Sequence, residues 1–481
     1  MPFDYGGAVG VGAVVQMPDN KTLLFICEKY YLRFYRPLAA RLVQSGFRPV
    51  WVRLDGPDEW DYDYVDPTAA IDALVEAPDL KCREGVDDLY VFERAVFERP
   101  NLFENSYPYT MHVARTPERA RRLAEVWYQS TLAFLMRFRP RAVFIWNGRY
   151  LPYRAVAAAC EAVGQVLMTS EIGWIPGTIF LDRGGLSTNT TDLLGRSFES
   201  ATAIDIGRAD AFLNDYTTRK ATMVSQKLVP ASEVRHRLLG DDGKFLLLYG
   251  CQVDWDTNVV IGARRFRSNE AAVSFLIECM SAIPGARIVV KTHPLDAEKK
   301  EDTLRQIVGQ GGTVVSDIHP HTLIEAADCV SVRNSTLGFE ALCYRKPLIL
   351  LENAKYKHPK LTLEAGNIAE GAASLSRVLT GSCDLPDEEA LRKFILHAID
   401  HYLVPVRYQY FFEPAKLDIL SHFGQNQSYR ALEQVLGELP SPVHVDVDDR
   451  LLQTIERCKV HRPRQHSFLY RHARKVSDWL S

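Results

Sequence analysis

The chain has 481 residues, with 57 Lys and Arg against 60 Asp and Glu for a formal charge of -3, and 47% of its residues are hydrophobic. That length and apolar share imply two to four globular domains with buried cores and exclude disorder and fibrous repeats. The near balance of acid and base excludes a global electrostatic footprint for nucleic acid, so partners must be read from individual sites.

Residues 1–16 carry no Lys or Arg, so they lack the charged start of a secretory signal, and a cytoplasmic protein is expected. The longest apolar runs, such as 245–253, are too short to span a bilayer, which leaves only peripheral membrane contact. The nine cysteines are scattered and contain no CxxC pair. Buried thiols in a reducing compartment fit best, with neither a disulfide framework nor a zinc site.

From Lys21 short β-rich runs alternate with longer amphipathic ones: a strand at 22–27, a helix at 31–45 and a strand at 48–53, with Gly46 as punctuation. This alternation predicts a parallel α/β sheet. Residues 56–112, rich in Asp, Pro and Tyr, read as less regular. The spacing then predicts a long helix at 116–138, a buried strand at 142–146, a helix at 151–163 and a strand at 165–170. A helical stretch over 208–227 precedes Leu239-Gly-Asp-Asp-Gly-Lys244, a linker by its glycines and aspartates.

A second α/β series follows, with strands at 245–250, 287–291, 313–316, 329–332 and 348–351. Its helices lie near 268–282, 297–309, 321–327 and 335–344. The expected architecture is two Rossmann-like domains facing a cleft, 1–238 and 239–386, with ligand at the carboxyl ends of the strands. Residues 387–481 read as helices followed by a basic tail. Within 457–475, Arg457, Lys459, Arg462, Arg464, Arg471, Arg474 and Lys475 surround Phe468, Leu469 and Tyr470. This is either a solvated basic surface or a patch that docks on anionic lipid.

The most specific local pattern spans 326–350. A strand ends in Asn334-Ser335-Thr336, a helix opens there, Gly338 permits close backbone approach, and Lys346-Pro347 leads into the next strand. Free amides and hydroxyls at a helix start form an anion site. The plainer alternative is that Ser335 or Thr336 caps the helix. Upstream, Lys291-Thr-His-Pro294 puts Lys291 and His293 at another strand end, where ammonium and imidazole could hold a phosphate leaving group. His319-Pro320 looks instead like a loop before a helix.

Beyond the strand at 245–250, Gln252-Val-Asp-Trp-Asp256 offers a metal-binding Asp-x-Asp or, as the favoured alternative, a single carboxylate acting as nucleophile or electrostatic stabiliser. In the first half Glu171 directly follows a predicted strand, and the glycines between 173 and 185 predict a loop near a ligand. Glu171 is either catalytic or a cap or loop carboxylate. Asn147-Gly148-Arg149 follows a further strand end, lining the same cleft or forming a simple turn.

Taken in order, Asn147-Gly148, Glu171-Ile-Gly-Trp with Arg183-Gly-Gly185, Gln252-Val-Asp-Trp-Asp256, Lys291-Thr-His-Pro294 and Asn334-Ser-Thr-Leu-Gly-Phe-Glu-Ala-Leu342 resemble the capsule polysaccharide synthesis proteins that are retaining β-Kdo glycosyltransferases. The similarity covers about residues 21 to 360. It implies a GT-B fold, CMP-β-Kdo as donor, a glycolipid or glycan acceptor, no metal or other cofactor, and retention through a covalent enzyme intermediate. It makes Asp256 the nucleophile and Glu171 the acid/base. His293, Ser335 and Lys291 would bind the CMP phosphate and Glu340 the ribose, with Gln252, Asn334 and Thr336 also on the donor side and Asn147 and Arg149 on the acceptor side. Two carboxylates suit retention, which needs two displacements. This chain departs from the family in carrying Leu337 where Gln is common and Pro176-Gly-Thr where Arg is common. Rival expectations are another cytidine-nucleotide transferase, of sialyl or CDP-glycerol type, a catalytically silent glycan-binding subunit and, third, a nucleotide-sugar epimerase, which would share the two-domain fold and anion site but need no acceptor cleft.

Overall fold

The computed structural model describes residues 21–54, 63–98, 114–183, 205–220, 227–240, 243–281, 283–294, 297–408, 414–437, 447 and 449–461. In the first half the β-branched and aromatic runs fold as β1 (Thr22–Cys27), β2 (Arg48–Arg53), β3 (Asp63–Val65), β4 (Ala142–Trp146), β5 (Leu167–Ile172) and β6 (Thr178–Arg183). The second half supplies β7 (Phe245–Gly250), β8 (Ala286–Lys291), β9 (Gly312–Val315), β10 (Cys329–Val332), β11 (Leu348–Leu350) and β12 (Leu363–Glu364). Two short strands follow, β13 (Leu403–Pro405) and β14 (Val460–His461).

One sheet runs β13-β6-β5-β4-β1-β2-β3-β14 and the other β12-β11-β10-β7-β8-β9. The second is parallel throughout. The first is parallel from β3 through β5, with β6, β13 and β14 added antiparallel at its edges. Their central strands, such as Leu23–Cys27 and Phe245–Tyr249, are almost wholly buried, as helix-covered parallel strands require. This is the pair of Rossmann-like sheets that the alternation predicts, and the GT-B type of architecture that the resemblance implies.

The helices start where their caps dictate. Thr116 accepts from Arg119 N at 3.2 Å, Pro117 opens the Pro117–Phe138 helix, and Arg139 ends it at φ 43. The 31–45 helix begins one residue late, at Leu32, after a 3₁₀ turn over Lys29–Tyr31. Two local expectations change. Residues 56–112, expected to be irregular, include β3 and the helices Thr68–Val75 and Val91–Phe97. The helix expected over 208–227 is Ile206–Arg219, terminated by Lys220 in the left-handed region, and 221–226 lie outside the described residues.

After the Glu388–His397 helix a π-helical turn, Ala398–Tyr402, carries the chain into β13, which pairs with β6. The Ser428–Gly437 and Asp449–Arg457 helices bury Leu432, Leu436, Leu451 and Ile455 in the core of the first sheet, and β14 pairs with β3. The basic tail from Arg462 onward lies outside the described residues.

The halves share apolar contacts. Val260, from the second half, belongs to the core of the first sheet. Trp174, from the first half, stacks on Phe339 with centroids 4.9 Å apart. Lys355 Nζ donates to Asp182 Oδ2 at 3.0 Å and Tyr402 Oη at 2.9 Å, tying the second half to β6. None of the nine cysteines, all among the described residues, forms a disulfide. No helix among the described residues is long and apolar enough to cross a membrane.

Candidate active site

β4 and β5 are neighbours, and both carboxyl ends open toward the second half. The chain leaves β4 through Asn147 at φ 55 and Gly148 at φ 80, a left-handed pair that Asn and Gly tolerate best. Asn147 N still continues the ladder, donating to Ser170 O at 2.8 Å. Its side chain is buried: Nδ2 donates to Glu171 Oε2 at 2.6 Å and to Thr257 Oγ1 at 3.0 Å, while Oδ1 accepts from Arg149 N at 3.1 Å.

Glu171 lies inside β5, opposite Phe180 of β6, not directly after the strand. The reason is that Thr178–Arg183 supplies an antiparallel partner, which lets β5 continue to Ile172. The expected ligand loop over 173–185 is therefore largely a hairpin. Gly177, at φ 80, makes its turn, Thr178 Oγ1 donates to Ile175 O at 2.7 Å, and Trp174 and Ile175 are buried between the halves. Gly184 and Gly185 lie outside the described residues.

In the second sheet β10, β7 and β8 are adjacent, with Val332, Gly250 and Lys291 level across them. Asn334-Ser335-Thr336, Gln252–Asp256 and Lys291–His293 thus emerge side by side. The fully buried Arg333 organises this edge. Its Nη2 donates to Asp254 Oδ1 at 2.7 Å, Gln252 O at 3.0 Å and Asn269 Oδ1 at 2.9 Å. Asp254 is therefore held inward, while Asp256 caps the short Thr257–Val260 helix, accepting from Asn258 N at 2.7 Å. The two carboxylates face different partners, and no group of three or more His, Cys, Asp or Glu among the described residues could hold a metal ion.

Burial pushes the Asp256 carboxyl above its usual range, opposed by the Asn258 N–H, by Arg333 and Arg149, and by a hydrogen bond from Gln252. Arg149 is itself buried, which lowers its guanidinium to about 10, with Asp256 and Glu171 pulling the other way. It stays charged at neutral pH and serves both carboxylates. Burial lowers Lys291 to about 8, opposed by Asp317, and its Nζ donates to Ser316 O at 2.6 Å. Burial and the Lys291 charge lower His293 to about 4, so its imidazole is neutral at pH 7.

The expected helix at Asn334-Ser335-Thr336 opens later, at Leu337, and Thr336 makes no side-chain cap. The chain is held there by backbone and tyrosine contacts: Ser335 O accepts from Gly338 N at 3.0 Å and from Tyr356 Oη at 2.5 Å. The buried Ser335 Oγ, Asn334 Oδ1 and Gln252 Oε1 have no protein partner among the described residues. These are polar atoms that a bound ligand can satisfy. Gly338 is required because a Cβ there would overlap the Tyr356 hydroxyl. Glu340 is buried behind this turn, with Oε2 3.7 Å from His321 Nε2. His319 caps the Pro320–Ala326 helix, accepting from His321 N at 3.2 Å.

Sequence reasoning missed Arg333, Thr257 and the Trp174–Phe339 stack. Arg333 had a signal, a charge placed directly after an apolar strand. Thr257 had none, because its importance lies in a contact from the other half.

The chain thus presents two Rossmann-like α/β sheets, with buried polar and charged groups gathered at the carboxyl ends of their strands, a two-sheet architecture of GT-B type. Residues 208–375 match the family model described as "Capsule polysaccharide biosynthesis protein". Among curated proteins the chain is similar to Protein FixF of Sinorhizobium fredii (strain NBRC 101917 / NGR234), 25% identical over 274 residues. That match covers 54% of this chain and 60% of FixF. Among solved structures it is similar to Thermosulfurimonas dismutans KpsC, beta Kdo 2,4 transferase, at 18% identity and TM-score 0.38, covering 49% of this chain and 79% of that one. It is also similar to UDP-GlcNAc 2-epimerase from Neisseria meningitidis, at 10% identity and TM-score 0.36, covering 86% and 99%.

Proposed function

We propose that this chain is a retaining glycosyltransferase that moves Kdo, or a related 2-keto sugar acid, from a CMP donor to a glycolipid or glycan acceptor in bacterial capsule or surface polysaccharide synthesis. The observation that supports this reading is a single buried carboxamide that joins the strand bearing Glu171 to the helix that Asp256 caps. Asn147 hydrogen-bonds Glu171 on one side and Thr257, the neighbour of Asp256, on the other.

Asp256 attacks the anomeric carbon as the bond to the CMP phosphate breaks, giving a glycosyl ester on its carboxylate. Lys291 and the Asn334-Ser335-Thr336 turn stabilise the departing phosphate oxygen, the part a metal plays in other transferases. The acceptor hydroxyl then attacks the same carbon, Glu171 takes its proton, and Asp256 leaves as carboxylate. Two inversions leave the configuration retained. Arg149 keeps Asp256 ionised beside an anionic sugar, which unopposed burial would prevent. Gln252 orients the nucleophile, and Glu340 meets the ribose side.

The test is CMP release from CMP-β-Kdo, generated in situ, with and without a lipid-linked or synthetic glycan acceptor. Acceptor-dependent release that Asp256→Asn and Glu171→Gln each abolish, with CMP binding retained, is the expected result. No release from a protein that CMP still stabilises against heat would refute the Kdo donor and point to another cytidine-linked group.

A further inference from the structure

The carboxamide of Asn147 is the polar link between the strand edge that carries Glu171 and the helix that Asp256 caps. Resting on the transferase reading above, we propose that Asn147 is a positioning residue. Its carboxamide sets Glu171 and Asp256 relative to each other across the cleft, and it does not contact the acceptor.

The orientation of the amide follows from its neighbours. Arg149 N can only donate, so the atom 3.1 Å from it is the oxygen, and Nδ2 must face Glu171 and Thr257. Both Nδ2 protons are then committed, at 2.6 and 3.0 Å. The residue is 1% exposed, so it has neither a free donor nor a surface for a sugar hydroxyl. Its backbone is pinned as well, by the bond from its N–H to Ser170 O and by a left-handed φ of 55.

The far end of the link is equally fixed. Thr257 is fully buried, and the Asp256 carbonyl accepts from Val259 N at 2.9 Å and Val260 N at 2.8 Å. Val260 in turn sits in the core of the first sheet. A displacement of Thr257 is therefore a displacement of Asp256. Misplacing a reacting group by about 1 Å can cost on the order of 100-fold in rate without changing how substrate binds.

Three variants of the full chain separate the contributions. Asn147→Gly keeps the left-handed turn and removes the carboxamide, Thr257→Val removes the crossing bond alone, and Thr257→Ser keeps it. We expect Asn147→Gly to lower kcat on the order of 100-fold with both KM values within about twofold of wild type. Thr257→Val should be intermediate and Thr257→Ser near wild type. Hydrogen exchange at the Val259, Val260 and Ile261 amides should quicken in Asn147→Gly and Thr257→Val, while β1 and β7 stay protected. Wild-type kcat in Asn147→Gly, or a loss confined to the acceptor KM, overturns the proposal. So does identical behaviour of Thr257→Val and Thr257→Ser. If wild-type protein turns over no CMP-β-Kdo, the transferase reading fails separately, and unchanged exchange over 257–261 still overturns the link.

Discussion

CMP should bind progressively more weakly as pH rises through about 8, because the phosphate-side cation that titrates there is Lys291. Burial holds its ammonium at about 8, against an ordinary lysine value near 10.4. His293 and His319, each lowered by burial to about 4, stay neutral over the whole range and add no titration. Arg149, at about 10, keeps its charge up to pH 9. The sign follows directly. Protonated lysine is the binding form, so a lowered pKa brings its loss down into the working range. With a pKa of about 8, roughly ten in eleven molecules carry the charge at pH 7 and roughly one in eleven at pH 9. Affinity should therefore fall about tenfold, or about 1.4 kcal/mol, over those two units. Bound phosphate favours the ammonium, so binding at pH 8 and above must take up a proton. Calorimetric titration in two buffers of different ionisation enthalpy reads that uptake. The second ionisation of the CMP phosphate is centred near pH 6 and nearly complete by about pH 7, so the profile starts at 7. Lys291→Arg, charged throughout, should bind with a flat profile. A flat wild-type profile with no proton uptake would refute the role of Lys291 as phosphate cation.

Lys355→Met leaves Asp182 buried without its ammonium, so urea unfolding should show a loss of about 3 to 5 kcal/mol, most of which Asp182→Asn in the same chain should restore. Asp254→Asn breaks the buried pair with Arg333 and should cost a similar amount of stability, read from the same unfolding curve. Asp256→Asn should leave the melting curve unchanged while activity is lost, because Asn caps a helix as well as Asp. Gly338→Ala should weaken CMP binding in calorimetry by displacing the Tyr356 hydroxyl from Ser335 O; unchanged affinity would show that this turn does not hold the phosphate.

What was legible in the sequence is what short-range physics writes there. The strands that the runs predicted, β1, β2, β4, β5 and β7 to β11, fall within about two residues of them, because a covered parallel strand must be continuously apolar, as Phe245–Gly250 is, whereas β3, β6 and β12 were not predicted. The helix boundaries at Thr116 and Ser268 follow from side-chain caps. The extent of β5 was not legible. Whether Glu171 ends a strand or continues it depends on β6 lying alongside, and glycines at 173 and 177 suit a loop and a tight hairpin equally. Nor was the partner of Asp254, since an Asp-x-Asp reads the same whether both carboxylates reach solvent or one meets a buried Arg333. The return of the chain to the first sheet through β13 and β14 was likewise hidden, because strands of three and two residues have no periodicity to detect.

The candidate site is divided between the halves: Asp256, Lys291 and the Asn334-Ser335-Thr336 turn, proposed as nucleophile and phosphate-binding groups, stand on the second sheet, Glu171 and Arg149 on the first. Such a division works only if the halves keep a fixed register, and contacts flank the site on both sides. Val260 enters the first core next to Asp256, while Trp174, three residues from Glu171, stacks on Phe339 of the helix beyond Ser335. Each apolar anchor thus lies within four residues of the polar group it places. Rigid packing at these points constrains geometry more tightly than the hydrogen bonds alone, since close-packed contacts resist shifts of even a methylene width. Apolar packing therefore holds the two halves together, and the Asn147 link proposed above would set the two candidate carboxylates within that frame.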